Sequence, residues 1–262
     1  MIIKNFIKSL LLKLNGRNLG KVKYRLTIKD LILKLLTSKT NFNVMGVMCG
    51  FPRTGTHWIR NVTEKSTKVY CPSLGDIDYS KIKKNQDIPL FKVHARSKFV
   101  AKLKMFFLTP PHKFNNKFIY VYRDPRDAII SLYNMYNIIQ RKELTQEDFL
   151  DIYDPIGQYK WELNSWVLHK KSEKDKNLLI IRFEDLKLNS NQTFDKIFKF
   201  LNIESEINDK SLNEFVGVVE SSKRVKGTVF GWQKSYNQYK VLIDKINIVL
   251  KQEILLLNYP NN

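Results

Sequence analysis

The strongest constraint on how this chain can fold is a recurring alternation. Short apolar runs bounded by turn residues are followed by stretches with apolar residues at helical spacing. The runs lie at residues 44–49, 89–94, 117–122 and 178–183. The last of them, Leu178 through Phe183, is apolar almost without interruption, as a parallel strand covered on both faces must be. After the first run, Trp58, Ile59 and Val62 fall at helical spacing. After the third comes a helical pattern over 128–139, with Pro125 near its start. Tyr159, Leu163, Trp166 and Val167 mark another helix. A further one carries Phe194, Ile197, Phe198 and Leu201, after the capping candidates Asn189 and Ser190. Strands alternating with helices predict an α/β fold on a parallel sheet built from βαβ units. There is no internal repeat and no linker-like shift in composition, so 41–262 reads as one domain.

Ahead of it, residues 1–40 read as an N-terminal helical segment. Ile2, Ile3, Phe6, Ile7, Leu10, Leu11 and Leu14 share one face, with Lys4, Lys8 and Lys13 interleaved. A second apolar-rich stretch covers 31–36. Lys8 interrupts any signal-peptide core, and no small-residue cleavage site follows. The reading adopted is a helix packed on the domain; the alternative is a basic helix lying on an anionic membrane. No run of about 18 apolar residues exists, which disfavours a membrane-spanning helix.

Lys and Arg number 45 against 25 Asp and Glu, a net charge of +20, so a polyanionic partner or an anionic substrate is expected. The abundance of Lys, Asn and Ile has a second source, an AT-rich genome. Cys49 and Cys71 make neither a disulfide framework nor a CxxC pattern. With four scattered histidines they form no zinc cluster, so no metal is expected, and a reduced, cytoplasmic setting fits.

Ligands of parallel sheets bind at the carboxyl ends of the strands, where helix N-termini present unpaired N–H groups to anions. The segment after the first run, Pro52-Arg53-Thr54-Gly55-Thr56-His57-Trp58, has the parts of such a site. Gly55 permits close backbone approach, Thr54 and Thr56 bring hydroxyls, and Arg53 brings a fixed charge. GxxxxGK[ST] cannot be drawn through it, which disfavours a Walker-type nucleotide triphosphatase. The alternative is an ordinary βα turn. A second basic site lies at the end of the third run, where Arg123 is followed by Ser131 in the next helix. Its alternative is a surface Arg paired with Asp124 or Asp127.

Together these segments resemble the sulfotransferases that use 3′-phosphoadenylyl sulfate. The family's PKSGTTW-like loop is matched by Pro52 to Trp58. Its Arg-Asn-Pro-Lys-Asp with a following Ser is matched by Arg123-Asp124-Pro125-Arg126-Asp127 and Ser131. Lys92-Val93-His94 resembles Lys-Thr-His, and Phe183-Glu184-Asp185 resembles Tyr-Glu-Asp. Lys226-Gly227-Thr228-Val229-Phe230-Gly231-Trp232 approximately resembles the family's C-terminal Arg-Lys-Gly followed by Gly-x-Trp. The motifs keep family order across 44–234; the first 40 residues and those from Asn237 onward are not covered.

The resemblance implies a single-domain, three-layer, P-loop nucleotide-kinase-like fold. It implies that Arg53, Thr54, Gly55, Thr56, His57 and Trp58 hold the 5′-phosphosulfate, and that Arg123, Ser131, Arg224, Lys226 and Gly227 hold the 3′-phosphate. Trp58 and Phe183 are expected beside the adenine. His94 is the implied general base, with Lys92 and Arg53 supplying charge at the transferred group. Arg53 stands where Lys is usual, Phe183 replaces Tyr, Val225 stands where an Arg is usual, and Asp124 brings a negative charge near the 3′-phosphate site. The expected acceptor is a hydroxyl or amine on a small molecule or glycan. An apolar segment, 99–114, is placed near it as a lid or as a buried connection. Competing readings are a P-loop-type kinase or other phosphoryl transferase, and a non-catalytic basic protein binding nucleic acid. The first lacks a Walker lysine, and the second lacks any nucleic-acid motif. Nucleic acid is therefore not an expected partner, and the sequence leaves the oligomeric state open.

Overall fold

The apolar runs fold as parallel strands. In the computed structural model, which describes residues 42–74, 77–83, 85–95, 99–102, 115–168, 175–204 and 228–260, the strands are β1 (Phe42–Val44), β2 (Val47–Gly50), β3 (Gln86–Ile88), β4 (Phe91–Lys92), β5 (Phe118–Tyr122) and β6 (Leu178–Arg182). The helices are α1 (Thr56–Thr67), α2 (Pro125–Asn134), α3 (Gln146–Tyr153), α4 (Pro155–Trp166), α5 (Phe183–Leu188), α6 (Ser190–Leu201), α7 (Gly231–Lys234), α8 (Lys240–Val249) and α9 (Lys251–Leu256). The expected N-terminal helical segment 1–40, residues 103–114 of the apolar segment, and Arg224, Lys226 and Gly227 lie outside the described residues.

The main sheet has the order β4-β2-β5-β6 and is parallel throughout. Because β2 lies between β4 and β5, the chain leaves β2, builds one side, and returns to build the other. The carboxyl end of β2 is thus the switch point where such sheets open a crevice. Register places Gly50 opposite Val121 and Tyr122 opposite Arg182, so these strands end on one rim.

Within the apolar strands the side chains still alternate. Met48, Ile119, Val121, Leu179 and Ile181 pack with Ile59 and Val62 of α1 and with Phe194, Ile197, Phe198 and Leu201 of α6. Val47, Cys49, Phe118 and Tyr120 face the other way, onto Trp166 of α4. The Trp166 ring stacks on Tyr120 at 5.0 Å and its indole N–H donates to the Ala95 carbonyl at 3.2 Å. Helices therefore cover both faces, the three-layer α/β arrangement expected. A third cluster joins Leu242, Ile243 and Ile246 of α8 and Ile254 of α9 to Ala128 and Ile129 of α2 and Phe149 of α3.

Several local expectations are corrected. The strand expected over 44–49 is two strands, β1 and β2, broken at Met45-Gly46. A Cβ on Gly46 would lie 2.3 Å from Leu201 Cδ2, so α6 presses on the chain at the break. The strand expected over 89–94 is likewise β3 and β4, because Pro89 has no N–H to continue a ladder. Hydrogen bonds bridge both breaks, from Met45 N to Ile88 O and from Phe91 N to Gly46 O, each 2.9 Å. The helix expected over 128–139 becomes α2 followed by a π-helical turn, Met135–Ile139. Asn189 occupies the N-cap of α6 without a side-chain cap; the Ser190 hydroxyl donates back to Leu186 O at 2.7 Å instead.

Candidate functional site

At the switch point, the loop from Phe51 to Gly55 carries two residues with positive φ, Arg53 at 72° and Gly55 at 93°. A side chain at Gly55 would be strained, and its Cβ would lie 2.6 Å from Phe183 Cδ2. The Thr54 hydroxyl is buried and donates to Phe51 O at 2.7 Å, which folds the loop on itself. Helix α1 begins directly after it. The amides of Gly55, Thr56 and His57 precede the first intrahelical bonds, which Trp58 N and Ile59 N make to Gly55 O. No side chain caps this end and no acidic residue lies in its first turn, so the helix field there favours an anion.

Across the rim, Arg123 is 4% exposed, and its setting can be followed atom by atom. Its backbone is clamped by Tyr159, whose hydroxyl accepts from Arg123 N at 3.2 Å and donates to Arg123 O. The guanidinium donates to Arg53 O at 3.2 Å and Thr228 O at 2.8 Å, and lies 3.5 Å from the Asp127 carboxylate. It sits 4.4 Å over the Phe183 ring. Its Nε is buried and has no hydrogen-bond partner among the described residues. A buried guanidinium with a donor to spare fits an incoming phosphate or sulfate oxygen. Burial raises the Asp127 carboxyl above its ordinary range, with Arg123 pulling the other way.

The loops meet through side chains as well. Arg53 Nε donates to the Ser131 hydroxyl at 3.0 Å. Arg53, Gly55, Arg123, Ser131 and Phe183 are therefore assembled in one place, although Arg53 and Ser131 are 78 residues apart in sequence. On the β4 side, buried Lys92 reaches to exposed His57, with Nζ 2.8 Å from Nε2. His94 is half-buried on the segment after β4. Trp58 is half-buried, with Lys187 Nζ 4.9 Å over its ring and Phe194 edge-on at 6.0 Å. Its indole N–H, buried, has no hydrogen-bond partner among the described residues. Arg224, Lys226 and Gly227 have no described position to compare.

The Asp124 carboxylate does not confront the anion site. It caps α2, accepts from Arg126 N and Nε at 2.9 Å and from Arg126 Nη2 at 2.7 Å, and accepts from the Trp232 indole at 3.2 Å. Arg126 in turn lies 3.8 Å over Trp232 and donates to Pro260 O. Glu184 braces the same turn, accepting from Asp124 N at 3.0 Å and the Tyr259 hydroxyl at 3.1 Å. Burial raises its carboxyl above the ordinary value, opposed by the Asp124 N–H, Arg182 and Arg123. Glu184 and Thr228 stand within the quoted motif matches without a supporting role assigned to them, and the supporting roles of Tyr159 and Tyr259 were not marked in the sequence. Only the Arg123–Asp127 pair carried a local signal, its i,i+4 spacing on a helix start.

Among the described residues no group of His, Cys, Asp or Glu side chains could hold a metal ion, and no helix is long and apolar enough to cross a membrane.

Comparison with known proteins places this geometry. A family model described as a sulfotransferase domain matches residues 46–238. An amine sulfotransferase of Oryctolagus cuniculus is 29% identical over 119 residues, 42% of this chain and 38% of that protein. A flavonol 4′-sulfotransferase of Flaveria chlorifolia is 25% identical over 66% of this chain and 59% of its own length. Human sulfotransferase 2A1 is 24% identical over 71% and 64%. The chain thus spans less than two thirds of the length of these relatives. Among solved structures, a mouse sulfotransferase complexed with PAP superposes with a TM-score of 0.55 at 20% identity, covering 80% of this chain and 85% of that one. A retinol dehydratase in complex with retinol and PAP gives 0.51 at 13% identity, covering 82% and 83%.

Proposed function

Because the chain belongs to the sulfotransferase domain family, we propose that it transfers a sulfuryl group from 3′-phosphoadenylyl sulfate to an acceptor hydroxyl or amine. The observation that carries this reading is the convergence at the switch point. The capless N-terminus of α1, the Arg53–Ser131 contact and a buried Arg123 with an orphan Nε all meet there.

In this reading the amides at the start of α1 and the Arg53 charge hold the 5′-phosphosulfate. Arg123 and Ser131 take the 3′-phosphate, with Arg224, Lys226 and Gly227 joining them, and Trp58 and Phe183 lie near the adenine. Phe183 is 4% exposed and packed on Gly55 and Arg123, so its share is an edge of ring. His94 takes the proton from the acceptor. The acceptor oxygen or nitrogen forms a bond to sulfur as the bond from sulfur to the bridging oxygen breaks. Adenosine 3′,5′-bisphosphate leaves with that oxygen, whose charge Arg53 and Lys92 offset. Arg cannot readily give up a proton, so Arg53 acts through charge alone. Fixed cations and amides aimed at developing charge are the main source of acceleration in such transfers.

Relatives named for an amine and a flavonol substrate support a small-molecule acceptor carrying either nucleophile. Cys49 and Cys71, buried thiols not joined in a disulfide, support a reducing, cytoplasmic compartment.

Calorimetry tests the reading. Adenosine 3′,5′-bisphosphate should bind at least about 10-fold more tightly than adenosine 5′-phosphate, the scale of one charge-assisted contact. Arg123→Ala should abolish that difference, and His94→Ala should keep binding but lose transfer. Equal affinities for the two nucleotides in the wild type would sink the assignment.

A further inference from the structure

Position 57 departs from the family loop quoted above, in which a second Thr precedes the Trp; here it is His57. Its side chain meets Lys92 from the opposite side of the crevice, Nζ to Nε2 at 2.8 Å. The backbone of Lys92 is fixed on both sides, its N–H donating to Pro72 O and its carbonyl accepting from Leu74 N, each at 2.9 Å. The residue is 3% exposed, yet its four-carbon stem leaves the ammonium several rotamers. What touches the ammonium therefore sets where its charge points.

We propose that His57 is a positioning residue that fixes the Lys92 ammonium at the N-terminus of α1, and that the neutral ring does so as its Nδ1–H tautomer. An ammonium has donors and no acceptor, so a 2.8 Å contact requires a lone pair on Nε2. The ammonium is the donor of the pair and the Nε2 lone pair its acceptor. The ring proton then resides on Nδ1. The contact joins β4 to the first turn of α1, the two elements that flank the proposed phosphosulfate, and it holds a cation beside the helix end that attracts that anion. The role in catalysis rests on the proposed sulfuryl transfer; the tautomer does not.

The experiment uses the full chain labelled with ¹⁵N. Two-bond proton–nitrogen spectra show the tautomer of each of the 4 histidines, and the His57→Gln variant identifies the signals of His57 by their loss. His57 should show an unprotonated Nε2, and Lys92→Met should release it toward the Nε2–H form. In kinetics, His57→Ala should lower kcat by roughly 10- to 100-fold, the scale of a misplaced group, with KM for the nucleotide nearly unchanged. His57→Gln offers a carbonyl oxygen to the same ammonium and should return kcat toward the wild-type value. His57 is exposed, so neither replacement leaves a cavity. A protonated Nε2 in the wild type, a spectrum indifferent to Lys92→Met, or a His57→Ala enzyme with wild-type kcat would each overturn the inference. The spectra need no substrate, so a failure of the sulfotransferase reading in the calorimetric test is told apart from a failure of the pair.

Discussion

At Gly55 two independent demands fall on one residue, a φ of 93° and the absence of a Cβ that would meet Phe183 at 2.6 Å. Gly55→Ala should destabilise the fold by roughly 1–3 kcal/mol, the usual scale for a forced left-handed residue. It should also weaken nucleotide binding, because the Phe183 ring that must give way lies against Arg123 at 4.4 Å. Urea unfolding and calorimetry on the same variant check both; wild-type behaviour in both would contradict the close packing. Glu184 makes a prediction about pH. Its folded carboxyl is raised above the ordinary 4.5, so the folded state holds this proton more tightly than the unfolded chain does. Its contribution to stability is therefore fullest below that ordinary value, and it declines as pH climbs through the raised folded value. Wild type minus Glu184→Gln, compared by urea unfolding from mildly acidic to neutral pH, should show that decline. A difference independent of pH would refute it.

The turn from β5 into α2 shows how much of an element can be read from its own residues. Pro125 is legible as lying near a helix start, and the structure puts it at the first position of α2, with Asp124 as the N-cap. The apolar runs that become β2, β5 and β6 are legible for the same reason: each signal sits within its own segment. Illegible was the break at Gly46, since it depends on Leu201 of a distant helix, whereas the break at Pro89 follows from proline's own missing N–H. Equally hidden was the fate of the Asp124 charge, which is settled by Arg126, Trp232 and the backbone at Pro260. In the site, the chemistry-bearing Arg53, Arg123 and Ser131 could be picked out from spacing, whereas Tyr159, Thr228 and Tyr259 could not, because nothing near them in sequence marks a clamp. Arg126→Met should cost about 3–5 kcal/mol, since it strands a wholly buried carboxylate. The double change Asp124→Asn with Arg126→Met should recover part of that loss. Urea melts of both variants decide it, and a mild effect of the single change would mean that Asp124 finds another partner.

For the whole molecule, the proposed nucleotide site is assembled from loops on both sides of the switch point and from the segment at Thr228, and no single unit holds it. A ligand bound there stabilises only the complete fold. Adenosine 3′,5′-bisphosphate at about 100 times its Kd should add about 2.7 kcal/mol. Thermal unfolding should show a larger rise in Tm with it than with adenosine 5′-phosphate at equal concentration; identical shifts would remove the 3′-phosphate contacts from the account. The contact between Arg123 and the Thr228 carbonyl spans 105 residues, and that separation has a meaning in time as well as in space. A chain still emerging from the ribosome can pair β2 with β5 and shape the loop between them. The Thr228 carbonyl that the Arg123 guanidinium bonds is synthesised 105 residues later. In the proposed reading, the nucleotide meets Arg123 in its described geometry only after Thr228 has been synthesised.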